Sequence, residues 1–310
     1  MGEAGRLLVS FCNVKRWTGL PSGGACLIAL DISTLAITKI LYADSISASA
    51  EGVTGICRYE SGIAFNIQGS GATKIGTANN DLCVQDLFQT RSVRRPHSIK
   101  WYDGYFYVVS SGKDSIIKLQ LTPKISSPDP ILPTSEYLYW TFNDCRRTVH
   151  VNSLYRGNMG DFYITAFGRV EATKMEKRHS VGFFMNIGTN SEILGGLNSP
   201  HSAFSCADTL LFCESGKGTV RDILGPLIDL SPGYTRGIAA TSERLYVGIS
   251  DIRNKSISSS NELLGIGSKA ACGAEIRVFE WQNYDLRTAI EIHRVNLRDW
   301  AHEIFDLLLY

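Results

Sequence analysis

Hydrophobic positions along this chain fall in short runs and lack the spaced stripes of amphipathic helices. Tyr105-Phe106-Tyr107-Val108-Val109, Asp161-Phe162-Tyr163-Ile164-Thr165, Leu245-Tyr246-Val247-Gly248 and Glu275-Ile276-Arg277-Val278-Phe279 show the pattern. Each run is rich in β-branched and aromatic residues, and clusters of Gly, Ser, Asn and Asp separate such runs at intervals of about ten residues. The pattern predicts an all-β chain, either a sandwich, a barrel or a propeller.

Internal repetition narrows the choice. Pro96-His97-Ser98 is followed by Ser111-Gly112-Lys113, and Pro200-His201-Ser202 by Ser215-Gly216-Lys217. In both copies the glycine stands 15 residues after the histidine. A third copy starts at Arg236, with Asp251 again 15 residues on. A fourth starts at His150, with a longer turn reaching Gly168, and a fifth near Thr54. The final stretch from His302 reads as the first strand of a further copy. The N-terminal runs Leu7–Cys12, Ala25–Asp31 and Ala36–Tyr42 supply the second, third and fourth strands that it lacks. Six starts over the chain give a period of roughly 52 residues, near that of four-stranded propeller blades. The expected fold is a six-bladed β-propeller, with five or seven as the neighbouring counts. One domain spans residues 1–310, and the C-terminal strand joins the N-terminal blade, which removes open edges. The Pro-containing stretch Thr122–Thr134 is expected to be a long loop.

Composition excludes several classes. Thirty-one Lys and Arg against 30 Asp and Glu leave a net charge of +1, with no basic surplus for a phosphate backbone. The 44% hydrophobic and 20% charged fractions exclude a disordered chain. No stretch approaches the roughly 18 apolar residues of a membrane span. The run Leu7–Cys12 is too short for a signal peptide, so a cytoplasmic protein is expected. Eight cysteines occur without a CxxC. They read as buried thiols in a reducing compartment, with a Cys206–Cys213 pair across a hairpin as the alternative.

Candidate chemistry follows from the repeat. In a propeller, blade first strands line the channel, and equivalent starts form a ring at one face. Four of the six starts are His97, His150, His201 and His302; the others are Arg236 and Thr54. Converging imidazoles suit a divalent transition metal, Fe, Zn, Mn or Cu, and the four histidines are the expected ligands. Glu303, Asp299 and Asn152 are placed to orient them. The competing reading is that these histidines hydrogen-bond turns. Arg236 suits a carboxylate or phosphate, the alternative being a salt bridge to Asp251 or Glu243. Lys113 and Lys217 read as solvated turn residues on the same face. The segments Asn13–Gly24 and Arg253–Ala271 would lie there as well. In them Trp17 offers an aromatic wall and Ser256–Ser260 a lid, against the alternative of surface decoration. His179 and His293 fall outside the ring. Gly69-Ser-Gly-Ala-Thr-Lys-Ile-Gly lacks the end of a phosphate loop.

Several segments together carry a resemblance. Arg95-Pro-His-Ser-Ile-Lys-Trp-Tyr-Asp-Gly, His150-Val-Asn-Ser, Ser199-Pro-His-Ser with Glu214-Ser-Gly-Lys-Gly-Thr, Gly233-Tyr-Thr-Arg-Gly-Ile-Ala, Val247-Gly-Ile-Ser-Asp-Ile-Arg, Cys272-Gly and His302-Glu-Ile-Phe-Asp span residues 95–310. They resemble a bacterial family of propeller-like proteins, DUF4915. His302 departs from the pattern, which has an acidic or variable residue before Glu-Ile-Phe/Tyr-Asp. The resemblance implies the fold and carries no activity.

The residues predict an enzyme for a small polar or anionic metabolite, with Arg236 and Glu303 as catalytic groups and a histidine-bound metal. Lyase, isomerase, hydrolase and oxygenase chemistry stay open. No organic cofactor, nucleic acid or membrane is expected. The rival is a non-catalytic scaffold that binds a protein or glycan on its top face.

Overall fold

The computed structural model describes residues 5–16, 24–60, 62–69, 73–122, 131–142, 147–168, 170–171, 181–206, 209–250, 273–282 and 285–310. Among these, six four-stranded antiparallel sheets form the blades of a six-bladed β-propeller. Blade 1 combines β1 (Arg6–Phe11), β2 (Ala25–Asp31) and β3 (Ile37–Tyr42) with the last strand, β26 (Ile304–Leu309). Blade 2 holds β4 (Ala50–Tyr59), β5 (Gly62–Gly69), β6 (Lys74–Ala78) and β7 (Val84–Gln89). Blade 3 holds β8 (Pro96–Tyr102), β9 (Tyr105–Ser110), β10 (Ser115–Gln120) and β11 (Ser135–Thr141).

After a short ribbon of β12 (Arg147–Thr148) and β15 (Val170–Glu171), blade 4 takes β13 (Val151–Arg156), β14 (Phe162–Ala166), β16 (Gly182–Asn186) and β17 (Ser191–Leu197). Blade 5 runs through β18 (Pro200–Cys206), β19 (Thr209–Glu214), β20 (Thr219–Arg221) and β21 (Pro226–Asp229). Blade 6 takes β22 (Tyr234–Ala240), β23 (Arg244–Ser250), β24 (Glu275–Gln282) and β25 (Asp285–Asn296). The chain divides into two compact units of three blades: residues 1–141 with 299–310, and residues 142–298.

Burial explains why the strands read as they did. Second strands lie mid-blade with neighbours on both faces, so β1, β9 and β23 are buried almost throughout and appear as continuous apolar runs. Fourth strands such as β3 and β25 are largely exposed and carry polar residues. Blade faces pack into cores. Phe88, Ile99, Phe106 and Val108 join blades 2 and 3, while Leu211, Ile238, Val247 and Trp281 join blades 5 and 6. The expected closure is present: β26 pairs antiparallel with β1, Leu7 opposite Leu309. Thr122–Thr134 lies between β10 and β11. Its residues 123–130 are outside the described set, and Ile131 makes a parallel bridge to Phe88.

One device recurs in every blade. The pairing of first and second strands shifts register at Ser10/Phe11, Val53/Ile56, Pro96/Ile99, Val151/Ser153, His201/Phe204 and Thr235/Ile238. Such bulges free backbone groups from the ladder and re-aim side chains. Here residues at the bulges bond the neighbouring blade. Thr54 Oγ1 donates to Pro96 O (2.7 Å) and Asn152 Nδ2 to Pro200 O (3.2 Å). Gly237 N donates to Ser202 Oγ (2.9 Å). The bulges contain Thr54, His97 and Arg236, with His201 at the edge of its own. In blade 4 the bulge falls at Asn152, and His150 precedes the strand. The repeat reading therefore misplaced blade 4 by two residues, because its longer turn hid the register.

The cysteines give a first test. Cys206 stands opposite Thr209 and Cys213 opposite His201, so the hairpin does not face the two cysteines. Cys213 is buried. Burial pushes the Cys26 and Cys57 thiols up to about 12, whereas Cys83 is exposed. Iodoacetamide at pH 8 is expected to label Cys83 at least about a hundredfold faster than Cys26 or Cys57 in the folded protein. Mass spectrometry of quenched samples reads the rates, and equal rates would contradict this burial. Among the described residues no helix is long and apolar enough to cross a membrane.

Candidate functional site

The second unit brings His150, His201 and Arg236 into one group. His201 opens β18 and is 3% exposed; Arg236 sits in the bulge of β22 and is 7% exposed. His201 Nδ1 lies 2.9 Å from Ser199 O and 2.9 Å from Ser215 Oγ. Ser199 O can only accept, and Ser215 gives its own proton to Thr235 O at 2.5 Å. Nδ1 therefore carries the ring proton, and the imidazole is neutral with its lone pair on Nε2. That lone pair accepts from Arg236 Nη2 at 3.3 Å. The guanidinium carbon lies 5.1 Å from the centre of the Tyr234 ring. Phe167 completes the group: it stacks on His150 at 4.8 Å and meets the His201 ring edge-on at 4.9 Å. His150 is half-buried and holds a left-handed backbone, φ 52°.

This geometry also accounts for the 15-residue offset in the repeat. The serine just before the motif glycine is the acceptor for the blade histidine. Ser215 serves His201, and Ser111 Oγ lies 3.4 Å from His97 Nδ1. The His97 ring also lies edge-on to Phe305 at 5.3 Å.

A metal does not fit at His201, because its one lone pair faces a permanent cation. Among the described residues no group of three or more His, Cys, Asp or Glu side chains is placed to hold a metal ion. His97 and His302 belong to the first unit, His150 and His201 to the second. Trp17, His179, Asp251 and Ser256–Ser260 lie outside the described residues. Lys217 is not a bare turn lysine; it pairs with Glu214 at 2.8 Å.

In the first unit Glu303 is buried and anchors a turn. Its Oε2 accepts from Asn13 Nδ2 (2.9 Å) and lies 3.5 Å from Cys12 Sγ. Asn13, at φ 56°, is gripped in turn by Gln68: Asn13 N donates to Oε1 (2.8 Å) and Gln68 Nε2 to Asn13 Oδ1 (2.7 Å). Asp306 braces β26 against β4 through Ile56 N at 3.4 Å. Burial raises its carboxyl, opposed by the charge of Lys100 and by the Ile56 and Leu307 amides.

Sequence reasoning missed Glu214, which supports the second-unit group from below. Its side chain is 1% exposed, and it accepts from Asn198 N (3.0 Å), Lys217 (2.8 Å) and Arg221 (2.8 Å). Burial pushes this carboxyl up, but Lys217, the Asn198 amide and Arg221 outweigh it and hold it below the ordinary glutamate range. Asn198 precedes Ser199, the residue that orients His201. Only the position of Glu214 beside Ser-Gly-Lys hinted at this role.

The model of one family, the domain of unknown function DUF4915, matches residues 144–309, more than half of the chain. The chain belongs to the DUF4915 family. The matched stretch of this DUF4915 protein takes in His150, His201, Arg236, His302 and Glu303, and leaves out His97. No curated protein matches it. Among solved structures it is similar to a chain of a nidogen/laminin complex, with TM-score 0.60, 10% identity and 98% of each chain covered. A protein of unknown function from Bacteroides caccae gives 0.58 at 10% identity over 99% of each chain. The periplasmic gluconolactonase of Pseudomonas aeruginosa gives 0.51 at 11% identity over 98% of each. At such identities the likeness is one of fold.

Proposed function

We propose that this DUF4915 protein is an enzyme acting on a small anionic metabolite whose carboxylate or phosphate is held by Arg236. The arrangement of Arg236 carries the reading. Its guanidinium is oriented by the His201 imidazole and the Tyr234 ring face. An arginine so fixed can offer parallel N–H donors to an oxyanion with little ordering cost on binding. His150, half-buried beyond Phe167, is the titratable group of the same unit suited to proton transfer. His201 acts through Arg236 as a positioning residue. Glu303, tied to Asn13 and Cys12, acts as an anchor in the first unit. No step of this reading needs a metal.

Calorimetry against carboxylates, sugar phosphates and sugar-acid lactones tests it. The lactones belong in the panel because a gluconolactonase shares the fold. Arg236→Met is expected to weaken the anion that binds by about 10- to 100-fold, the range for hydrogen bonds to charged groups. Arg236→Lys should recover part of the affinity, since it keeps the charge without the fork. If nothing in the panel binds, or if a folded Arg236→Met protein binds as well as wild type, the proposal fails.

A further inference from the structure

Blades 2 and 4 carry the same bulge but fill it with different polar groups. In blade 4, Val151 pairs with Ala166 and Leu154 with Ile164; in blade 2, Val53 pairs with Ile67 and Ile56 with Phe65. These registers make Thr54 the counterpart of Asn152, Gly55 of Ser153, and Asn66 of Thr165. Thr54 and Asn152 share a task, since each bonds the proline carbonyl that opens the next blade, Pro96 O or Pro200 O. Gly55 and Ser153 do not. Ser153 Oγ lies 2.5 Å from Thr165 Oγ1 and accepts from Ala203 N, three residues after Pro200, at 3.2 Å. Gly55 has no hydroxyl, yet it faces the matching amide of blade 3. Ile99 N, three residues after Pro96, lies 3.2 Å from where a Cβ on Gly55 would sit.

Asn66 completes the comparison. Its side chain is fully buried, and both Oδ1 and Nδ2 are without a partner among the described residues. Asn66 stands opposite Ile75, a member of the core between blades 2 and 3. Residues opposite each other share a sheet face, so the amide points toward blade 3. In blade 3 the residue opposite the bulge is the buried Val109, so the fold itself does not call for an amide there. Buried polar groups are almost always bonded, and buried water serves those that protein groups do not reach. We infer that Asn66 holds at least one buried water molecule between blades 2 and 3, in the place that the Ser153 hydroxyl takes between blades 4 and 5. The water accepts from Ile99 N and donates to Asn66 Oδ1. Nothing in this site involves Arg236.

A high-resolution crystal structure of the full chain is the direct test. An ordered water within hydrogen-bond distance of both the Asn66 amide and Ile99 N is the expected result. No density there, or an Asn66 amide bonded directly to protein groups, would overturn the inference. Two variants of equal shape give a second reading in solution. Asn66→Thr sets at this position the hydroxyl that Thr165 has, and its crystal structure should show the same water. Asn66→Val removes every polar atom and leaves the water and Ile99 N short of a partner. The urea midpoint of Asn66→Thr is therefore expected above that of Asn66→Val, because stripping a buried group of its partner is costly. The two variants are compared with each other, so any loss common to replacing the asparagine cancels. Without the water, the threonine hydroxyl would itself be buried and unbonded, and Asn66→Val would be the more stable. Equal or reversed midpoints would thus count against the site as well.

Discussion

A Glu214→Ala variant is expected to lose about 3 kcal/mol of stability, the lower end for removing one partner of a buried charge pair. The carboxylate is 1% exposed and satisfies three donors. Lys217 is 54% exposed and contributes little, so the loss comes from Arg221 and from the Asn198 amide. The change leaves a half-buried guanidinium and a backbone N–H without their acceptor. It also frees the turn that carries Ser199, so anion affinity at Arg236 should fall with stability. Urea unfolding followed by tryptophan fluorescence reads the effect, and a loss under about 1 kcal/mol would contradict the pairing.

The sign of its pH dependence follows from the depressed carboxyl. A group held below its unfolded value contributes stability that is complete above the unfolded value and lost as pH falls through the folded one. The gap between wild type and variant should therefore be constant at neutral pH and close below about pH 4, where even a free glutamate protonates. A gap that persists at pH 2 would assign the loss to packing.

The second large effect is expected at Gly55. The residue holds φ +135° inside the bulge of β4, and a Cβ there would lie 2.5 Å from His97 O and 3.1 Å from Ser98 Cα. Both are backbone atoms of the next blade and cannot turn aside. Gly55→Val is expected to cost about 4 kcal/mol or more, or to prevent accumulation of folded protein. Gly104 is the control, at φ +79° with nothing within 4 Å. Gly104→Ala meets only the conformational cost, roughly 1–2 kcal/mol. Similar losses at the two sites would show that blades 2 and 3 are not packed at this bulge as described.

These residues divide what was legible from what was not. The sequence by itself determined the six blades, the closure by the last strand and the place of most first strands. Those features are written locally. Mid-blade strands are buried on both faces and must be continuous apolar runs, while turns need Gly, Asn or Asp. Repetition of Pro-His-Ser with its following serine copies one bulge and one hydrogen bond from blade to blade. In blade 4 that copy is altered, and there the reading placed the start at His150 where the bulge is at Asn152.

Only the tertiary structure decided what the side chains at those starts can do. Whether His201 offers a lone pair depends on Ser199, Ser215 and Arg236, which three different segments bring together. Glu303 meets Asn13 from 290 residues away. A residue type sets which atoms can donate or accept. Their direction, and which of them are already engaged, is set by contacts that form only when the blades pack.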